Sequence, residues 1–262
     1  MAVTSDKAGI NVTILGSGTC VPALQRSSCS VLMRIGANRL LFDSGPGTMR
    51  RLLEADTTIF DLNYIFYSHF HPDHSAELVP LIFATKYPDG SRRQSPLTIA
   101  GGRGFAAFFE KLKTVYGKWI ELAPGLLDLE ELNNASKVLK DFTIESAPVE
   151  HNPESIAYRI TSSDGSSVVY SGDTDFSDNL IELAKEADLL ICESALPDSK
   201  RVKGHLTPSM AGEIATRAAV HKLVLTHFYP DCEEVDIMQE CRKTYSGPLL
   251  MAEDLMQIEV VT

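Results

Sequence analysis

The sequence is poor in cysteine, has no long apolar run and is short of positive charge, and each lack closes a class of function. Five cysteines, at positions 20, 29, 192, 232 and 241, are an odd number without paired spacing. That pattern fits reduced thiols in a cytoplasm better than a disulfide framework, each thiol expected to be a small buried hydrophobe. No stretch approaches the roughly 18 uninterrupted apolar residues that span a bilayer. The opening MAVTSDKAGI also lacks the basic and apolar segments of a secretory signal. The expectation is a soluble, unexported cytoplasmic chain with no membrane partner. Lys plus Arg total 24 against 35 for Asp plus Glu, a net charge of −11. Long nucleic acid is therefore a disfavoured partner unless a local basic patch overrides the repulsion. The short basic pieces MRRLLEA and GSRRQS read as solvated faces. Internal repeats, low-complexity tracts and long linkers are also missing, and 262 residues suffice for one large core, so 1–262 is expected to be a single domain.

What is present is an alternation of strands and helices. Runs of β type at INVTIL, SCSVLMRI, NRLLFD and LNYIFYS fill the first quarter, most of them ended by Gly, Pro or Asp. SAELVPLIFATKY then reads as a helix, YPDGSRRQSP as a loop that could be a lid or a dimer contact, PLTIAGG as a strand and GFAAFFEKLKTVYG as a helix. FTIESAPVEH, SIAYRIT and SSVVYSGD resume the strands. The helix NLIELAKEA, the strand DLLICES, the helix PSMAGEIATRAAV and the strand KLVLTH follow, and EVDIMQECRKTY, PLLMA and QIEVV add a helix and closing strands. The turn GSGTCVP leads into a strand rather than opening a helix, so it is not a dinucleotide-binding turn.

The chemistry lies in the histidines, of which there are only seven. His69, His71, His74, His151 and His227 each fall at or just past the end of a predicted strand, and so does Asp173 in VVYSGDT. If these strand ends share one sheet edge, the side chains converge on one cleft. A single histidine in such a place is ordinarily a satisfied core or surface residue; five in like contexts are not. In IFYSHFHPDHSAEL, alternate residues of an extended segment point the same way, so His69 and His71 can grip one metal, and the turn at Pro72 swings Asp73 and His74 toward a neighbouring one. His151 would complete the first metal's set and His227 the second's, with Asp173 as a bridge. Imidazole and carboxylate without thiolate suit two Zn2+ ions, with Mn2+ or Fe2+ as alternatives.

The order H-x-H-x-D-H, then a strand-end His, SGDT and LTH resembles the ligand order of the metallo-β-lactamase superfamily. LGSGTCVPALQRSSCSV followed by LLFDSGPGT resembles the amino-terminal signature of ribonuclease Z and its relatives. SGDT, GHLTPSMAGEIA and LVLTHF resemble that group's carboxy-terminal half. The resemblance implies an α/β fold, a four-layer αβ/βα sandwich with the metals at one edge of its two central sheets. It also implies a homodimer, a place for Asp43 close to the metals, and a proton-supplying pair of His205 (in KGHLTPS) and Glu193 (in ICESAL). Cys192 departs from the pattern, standing where that motif has a histidine.

These features predict a dinuclear-metal hydrolase. Asp73 would orient the nucleophile while His205, supported by Glu193, protonates a basic leaving alkoxide, which favours a phosphodiester. Lys200, Arg201 and Lys203 could draw an anionic substrate toward His205. Ribonuclease Z carries a long arm that holds transfer RNA between the third histidine ligand and the bridging aspartate. Here the interval from His151 to Asp173 holds two strands and the turn SSDGSS, with no room for one. The family's FDCGEGT is also altered, to Ser44 and Pro46. A small or medium phosphodiester is therefore expected: a cyclic nucleotide, a cyclic ribose phosphate or a short oligonucleotide. The alternatives are transfer-RNA 3′ processing, a lactonase, thioesterase or β-lactamase using the same metals, and a metal-binding scaffold without turnover.

Overall fold

The computed structural model describes residues 9–86 and 93–261. Its strands are β1 (Ile10–Gly16), β2 (Ser30–Ile35), β3 (Asn38–Phe42), β4 (Tyr64–Tyr67), β5 (Leu97–Gly101), β6 (Leu127–Glu131), β7 (Ala135–Val138), β8 (Phe142–Pro148), β9 (Ile156–Ser162), β10 (Ser167–Tyr170), β11 (Leu189–Glu193), β12 (Leu223–Thr226), β13 (Leu249–Met251) and β14 (Gln257–Val260). Its helices are α1 (Thr48–Glu54), α2 (Pro72–Ser75), α3 (Leu78–Thr85), α4 (Phe105–Tyr116), α5 (Asp178–Leu183), α6 (Pro208–Arg217) and α7 (Ile237–Cys241). The strands make two sheets, ordered β14-β1-β2-β3-β4-β5-β6 and β13-β12-β11-β10-β9-β8-β7.

The two-residue period of a strand sorts these side chains into layers. In the first sheet Leu40, Phe42, Phe66 and Ala100 turn inward and share a core with Tyr158, Ile160 and Tyr170 of the second. Phe42 meets Tyr158 and Tyr170 edge-on, with ring centres 5.6 and 5.9 Å apart. The intervening Leu41, Ile65 and Ile99 turn outward onto Leu52, Leu81 and Phe105, from α1, α3 and α4. On the far side of the second sheet, α5 packs on β8 and β9, α6 on β11 and β12, and α7 on β13. The result is the expected αβ/βα sandwich. No helix among the described residues is long and apolar enough to cross a membrane.

Several expectations need correction. The helix predicted from Ser75 onward begins only at Leu78, as α3, after the short α2 and an N-terminal cap position at Glu77. The two carboxylate oxygens of Glu77 accept the amides of Gly47 (2.7 Å) and Met49 (2.6 Å) at the start of α1. Helix α7 is only five residues long, capped by Asp236, whose side chain accepts the Gln239 amide at 2.9 Å. Strands β6 and β7 are not legible from the sequence: both are sheet edges carrying charged residues, a common guard against edge-to-edge pairing that hides the apolar alternation.

Neither basic piece is wholly a solvated face. Arg51 pairs with Glu54 and with the buried Asp254 (2.9 Å). Arg93 is 2 % exposed and donates to the carbonyls of Leu62 (3.0 Å) and Ile59. Most of the loop YPDGSRRQSP, residues 87–92, lies outside the described residues. Four cysteines are buried and free as expected, but Cys20 is exposed, its Sγ 3.5 Å from Tyr229 Oη.

Candidate metal centre

Strand ends bring the site together. β4 stops at Tyr67, and Pro72 in the first turn of α2 sets Asp73 and His74 on that turn, opposite the extended segment that carries His69 and His71. His151 follows β8, Asp173 follows β10, Glu193 closes β11 and His227 follows β12 with a left-handed backbone (φ +62°). The register pairs Glu193 with Thr226, so Glu193 and the strand that leads to His227 lie side by side. Two glycines permit the close approach. A Cβ on Gly45 would fall 1.9 Å from the Asp73 carbonyl oxygen, and one on Gly172 (φ +57°) would fall 2.4 Å from Ser68 Cβ.

The donors form two groups that share one carboxylate. In the first, His71 Nδ1 lies 3.0 Å from His69 Nε2 and 3.3 Å from His151 Nε2. Asp173 Oδ2 is 3.6 Å from His69 Nε2 and 4.0 Å from His151 Nε2. In the second, His74 Nε2 and His227 Nε2 are 3.3 Å apart, and Asp173 Oδ1 is 3.2 and 3.4 Å from them. Asp73 Oδ2 stands 3.8 Å from His227 Nε2. All seven expected donors therefore converge, and Asp173 turns one oxygen to each group.

This arrangement fits metal ions. Donors bound tetrahedrally at about 2.0–2.1 Å sit roughly 3.3–3.4 Å from one another, close to the ring-nitrogen spacings here. Asp173 Oδ1 is buried and lacks a well-formed hydrogen bond among the described residues, although the ring nitrogens of His74 and His227 lie 3.2 and 3.4 Å away. The His/Asp cluster is compatible with a dinuclear metal site.

Surrounding groups fix the rings. Asp43, fully buried with φ +57°, accepts the Ser68 amide on Oδ1, and the Ser68 hydroxyl, His74 Nδ1 and the Tyr170 hydroxyl on Oδ2, all at 2.7 Å. Asp43 thus holds the His74 ring with Nε2 turned to the cluster, 3.2 Å from Asp173 Oδ1. His151 Nδ1 donates to the Gly204 carbonyl at 2.7 Å. Burial opposes protonation of His74, but the charges of Asp173 and Asp43 outweigh it and hold the imidazole well above its ordinary value. Burial would likewise raise Asp173, yet His227, His74 and His69 hold it well below the carboxylate range. Burial, then the neighbouring imidazoles, lower His69 and His71.

His205 stands beside both groups, its ring centre 5.0 Å from that of His151 and 5.7 Å from that of His227. Its Nδ1 donates to Glu193 Oε1 at 2.9 Å. Burial works against its charge, but the hydrogen bond and charge of Glu193 prevail and raise its pKa to about 9. Glu193 is itself held by the amides of Thr174 (2.7 Å) and Leu206 (3.2 Å).

The basic stretch before His205 is largely neutralised: Lys200 pairs with Asp231 and Glu234, and Arg201 with Asp175. Lys203 lines a cleft of about 830 Å³ beside His151, together with Asn152 and Phe176. Asp175 and Gly204 escaped sequence reasoning. Asp175 accepts the Gly204 amide at 2.9 Å, and so steadies the carbonyl that orients His151. Nothing in the sequence signals this, because the Gly204 groups involved belong to the backbone. His221 lies apart, its side chain exposed beside Asp188.

A β-lactamase superfamily domain model matches residues 38–228, and the chain belongs to the metallo-β-lactamase superfamily and has its fold. Ribonuclease Z of Mycobacterium bovis (strain BCG / Pasteur 1173P2) is 30 % identical over 276 aligned positions, covering 96 % of this chain and 98 % of that protein, and places it in the ribonuclease Z-like branch. Ribonuclease Z 1 of Schizosaccharomyces pombe is also 30 % identical, over 88 % of this chain, which spans only 33 % of that longer protein. Among solved structures, the metallo-β-lactamase fold protein YhfI from Bacillus subtilis superposes with a TM-score of 0.82 at 26 % identity, covering 95 % of this chain and 99 % of YhfI.

Proposed function

We propose that the protein is a dinuclear-metal phosphodiesterase acting on a small or medium phosphodiester. His69, His71 and His151 would hold one ion, Asp73, His74 and His227 the other, and Asp173 both; an all-nitrogen-and-oxygen donor set favours zinc. When bound, two such ions supply Lewis acidity, lowering the pKa of water to about 7 and offsetting charge on phosphoryl oxygens. Asp73, on the rim of the cluster, orients the attacking water.

The observation that carries the reading is the Glu193–His205 pair at 2.9 Å beside the cluster. The hydrogen bond and charge of Glu193 favour the protonated form of the ring. The imidazole can give its Nε2 proton to a departing alkoxide while Glu193 stabilises the charge on the ring. Acyl substrates with good leaving groups have little use for such a donor.

Transfer-RNA 3′ processing is the second reading, favoured by the near full-length match to M. bovis ribonuclease Z. Against it stands the hairpin between β9 and β10, which turns through residues 163–166 where an RNA-holding arm would emerge. The deciding experiment is a screen of metal-loaded protein against cyclic and linear phosphodiesters with precursor transfer RNA included. Turnover of the small substrates with little cleavage of precursor is expected. Efficient cleavage of the precursor at its 3′ trailer would replace the proposal by the second reading.

A further inference from the structure

Three cluster histidines turn Nε2 inward and settle their outer nitrogen on a partner. His74 uses Asp43, His151 uses the Gly204 carbonyl, and His69 Nδ1 lies 3.1 Å from Ser68 Oγ. His71 is reversed. Its Nδ1 faces His69 and His151, and its Nε2 points out to Asn152, whose Nδ2 is 3.1 Å away. An imidazole that gives its Nδ1 lone pair to an ion must carry its proton on Nε2, and that N–H requires an acceptor. The terminal amide of Asn152 stands at that nitrogen, 3.1 Å away, and its oxygen can accept this N–H, because the two ends of the amide have nearly the same shape and either can face the ring.

We propose that Asn152 is the positioning residue for His71: its amide oxygen accepts the His71 Nε2–H and so leaves Nδ1 free to bind an ion. The assignment rests on the metal reading of the site and not on the substrate. The backbone around Asn152 is held in place. The Asn152 amide donates to Ser155 Oγ (3.1 Å), and the Ser155 amide returns a bond to the Asn152 carbonyl (3.0 Å). Ser155 is buried. The Ile156 amide then ties this turn to the Ser68 carbonyl at 2.9 Å, next to His69. A Cβ on Gly102 would lie 1.9 Å from the Glu154 carbonyl oxygen, so the turn is also backed by main chain.

Two substitutions separate this role from packing. Asn152→Leu keeps the approximate size and removes the acceptor; Asn152→Asp keeps an acceptor and removes the donor. Zinc titration of metal-free protein against a competing chelator is expected to show one of two ions weakened roughly 10- to 100-fold in Asn152→Leu. Asn152→Asp should bind at least as tightly as wild type. Nitrogen-15 NMR of the His71 ring gives a second readout independent of turnover. In zinc-bound wild type and Asn152→Asp the ring should carry its proton on Nε2, shifted as a hydrogen-bonded N–H. Should Asn152→Leu fold poorly, that resonance in the wild type and the zinc affinity of Asn152→Asp still decide the matter. Unchanged zinc affinity in a folded Asn152→Leu, or an Nε2–H without a hydrogen bond in the zinc-bound wild type, would overturn the assignment alone. A wild type that takes up no zinc would remove the metal reading with it.

Discussion

His205→Ala is expected to retain its metals yet lose on the order of 10² to 10⁴ in turnover on a phosphodiester with an alkoxide leaving group. The reason is local to one proton. The side chain comes close enough to Asp173 and His227 to make a third group of possible ligands, but its Nδ1 is occupied by Glu193, which leaves Nε2 as the end facing the cluster. With bis-p-nitrophenyl phosphate the departing phenolate is stable without protonation, so the defect should shrink markedly. Glu193→Gln should follow the same trend more weakly, since the imidazole stays in place while its charge loses support. Steady-state rates on the two substrates, measured beside metal content, test this. Equal losses on both, or loss of metal, would make His205 a residue that positions substrate or supports the site.

Asp173→Ala should have the other large effect. Asp173 turns one carboxylate oxygen to each donor group, 3.2 to 4.0 Å from His74, His227, His69 and His151. Its removal also leaves several imidazoles facing one another in a buried space with only Asp43, behind His74, and Asp73, beside His227, as counter-charge. Metal content should fall clearly below two ions per chain, with affinity reduced by more than the roughly 10- to 100-fold that loss of an outer hydrogen-bond partner costs. Turnover should fall with it. His221→Gln serves as the control and should leave metal content and activity nearly unchanged, since His221 lies exposed beside Asp188. Two tightly bound ions in Asp173→Ala would remove the bridging role.

The ligands are legible in the sequence because their chemistry and their local contexts coincide. Histidines at the ends of apolar runs are rare, and the sheets carry those ends to one edge, so the strand pattern alone draws His69, His71, His74, His151, Asp173 and His227 together. Asp43 is legible only through resemblance. Its burial, its left-handed φ and its four donors are tertiary facts. The edge strands β6 and β7 are hidden by charge, and the break between α2 and α3 falls at Glu77, whose carboxylate accepts amides at the start of α1. Asp175, Gly204 and Asn152 act through backbone groups or through the orientation of one amide, and neither leaves a periodic trace. The exposed Cys20 shows the limit of composition: residue type favours burial, but position in the 19–27 loop decides otherwise.

The most direct test of the central claim is turnover by the metal-loaded protein of a chromogenic phosphodiester against a lactone and nitrocefin, with a chelated sample alongside. Hydrolysis of the phosphodiester well above the other two, abolished by chelation and restored by zinc, is the predicted result. Preferred hydrolysis of the lactone or nitrocefin, or no hydrolysis of any of the three by a sample holding two ions per chain, would contradict it.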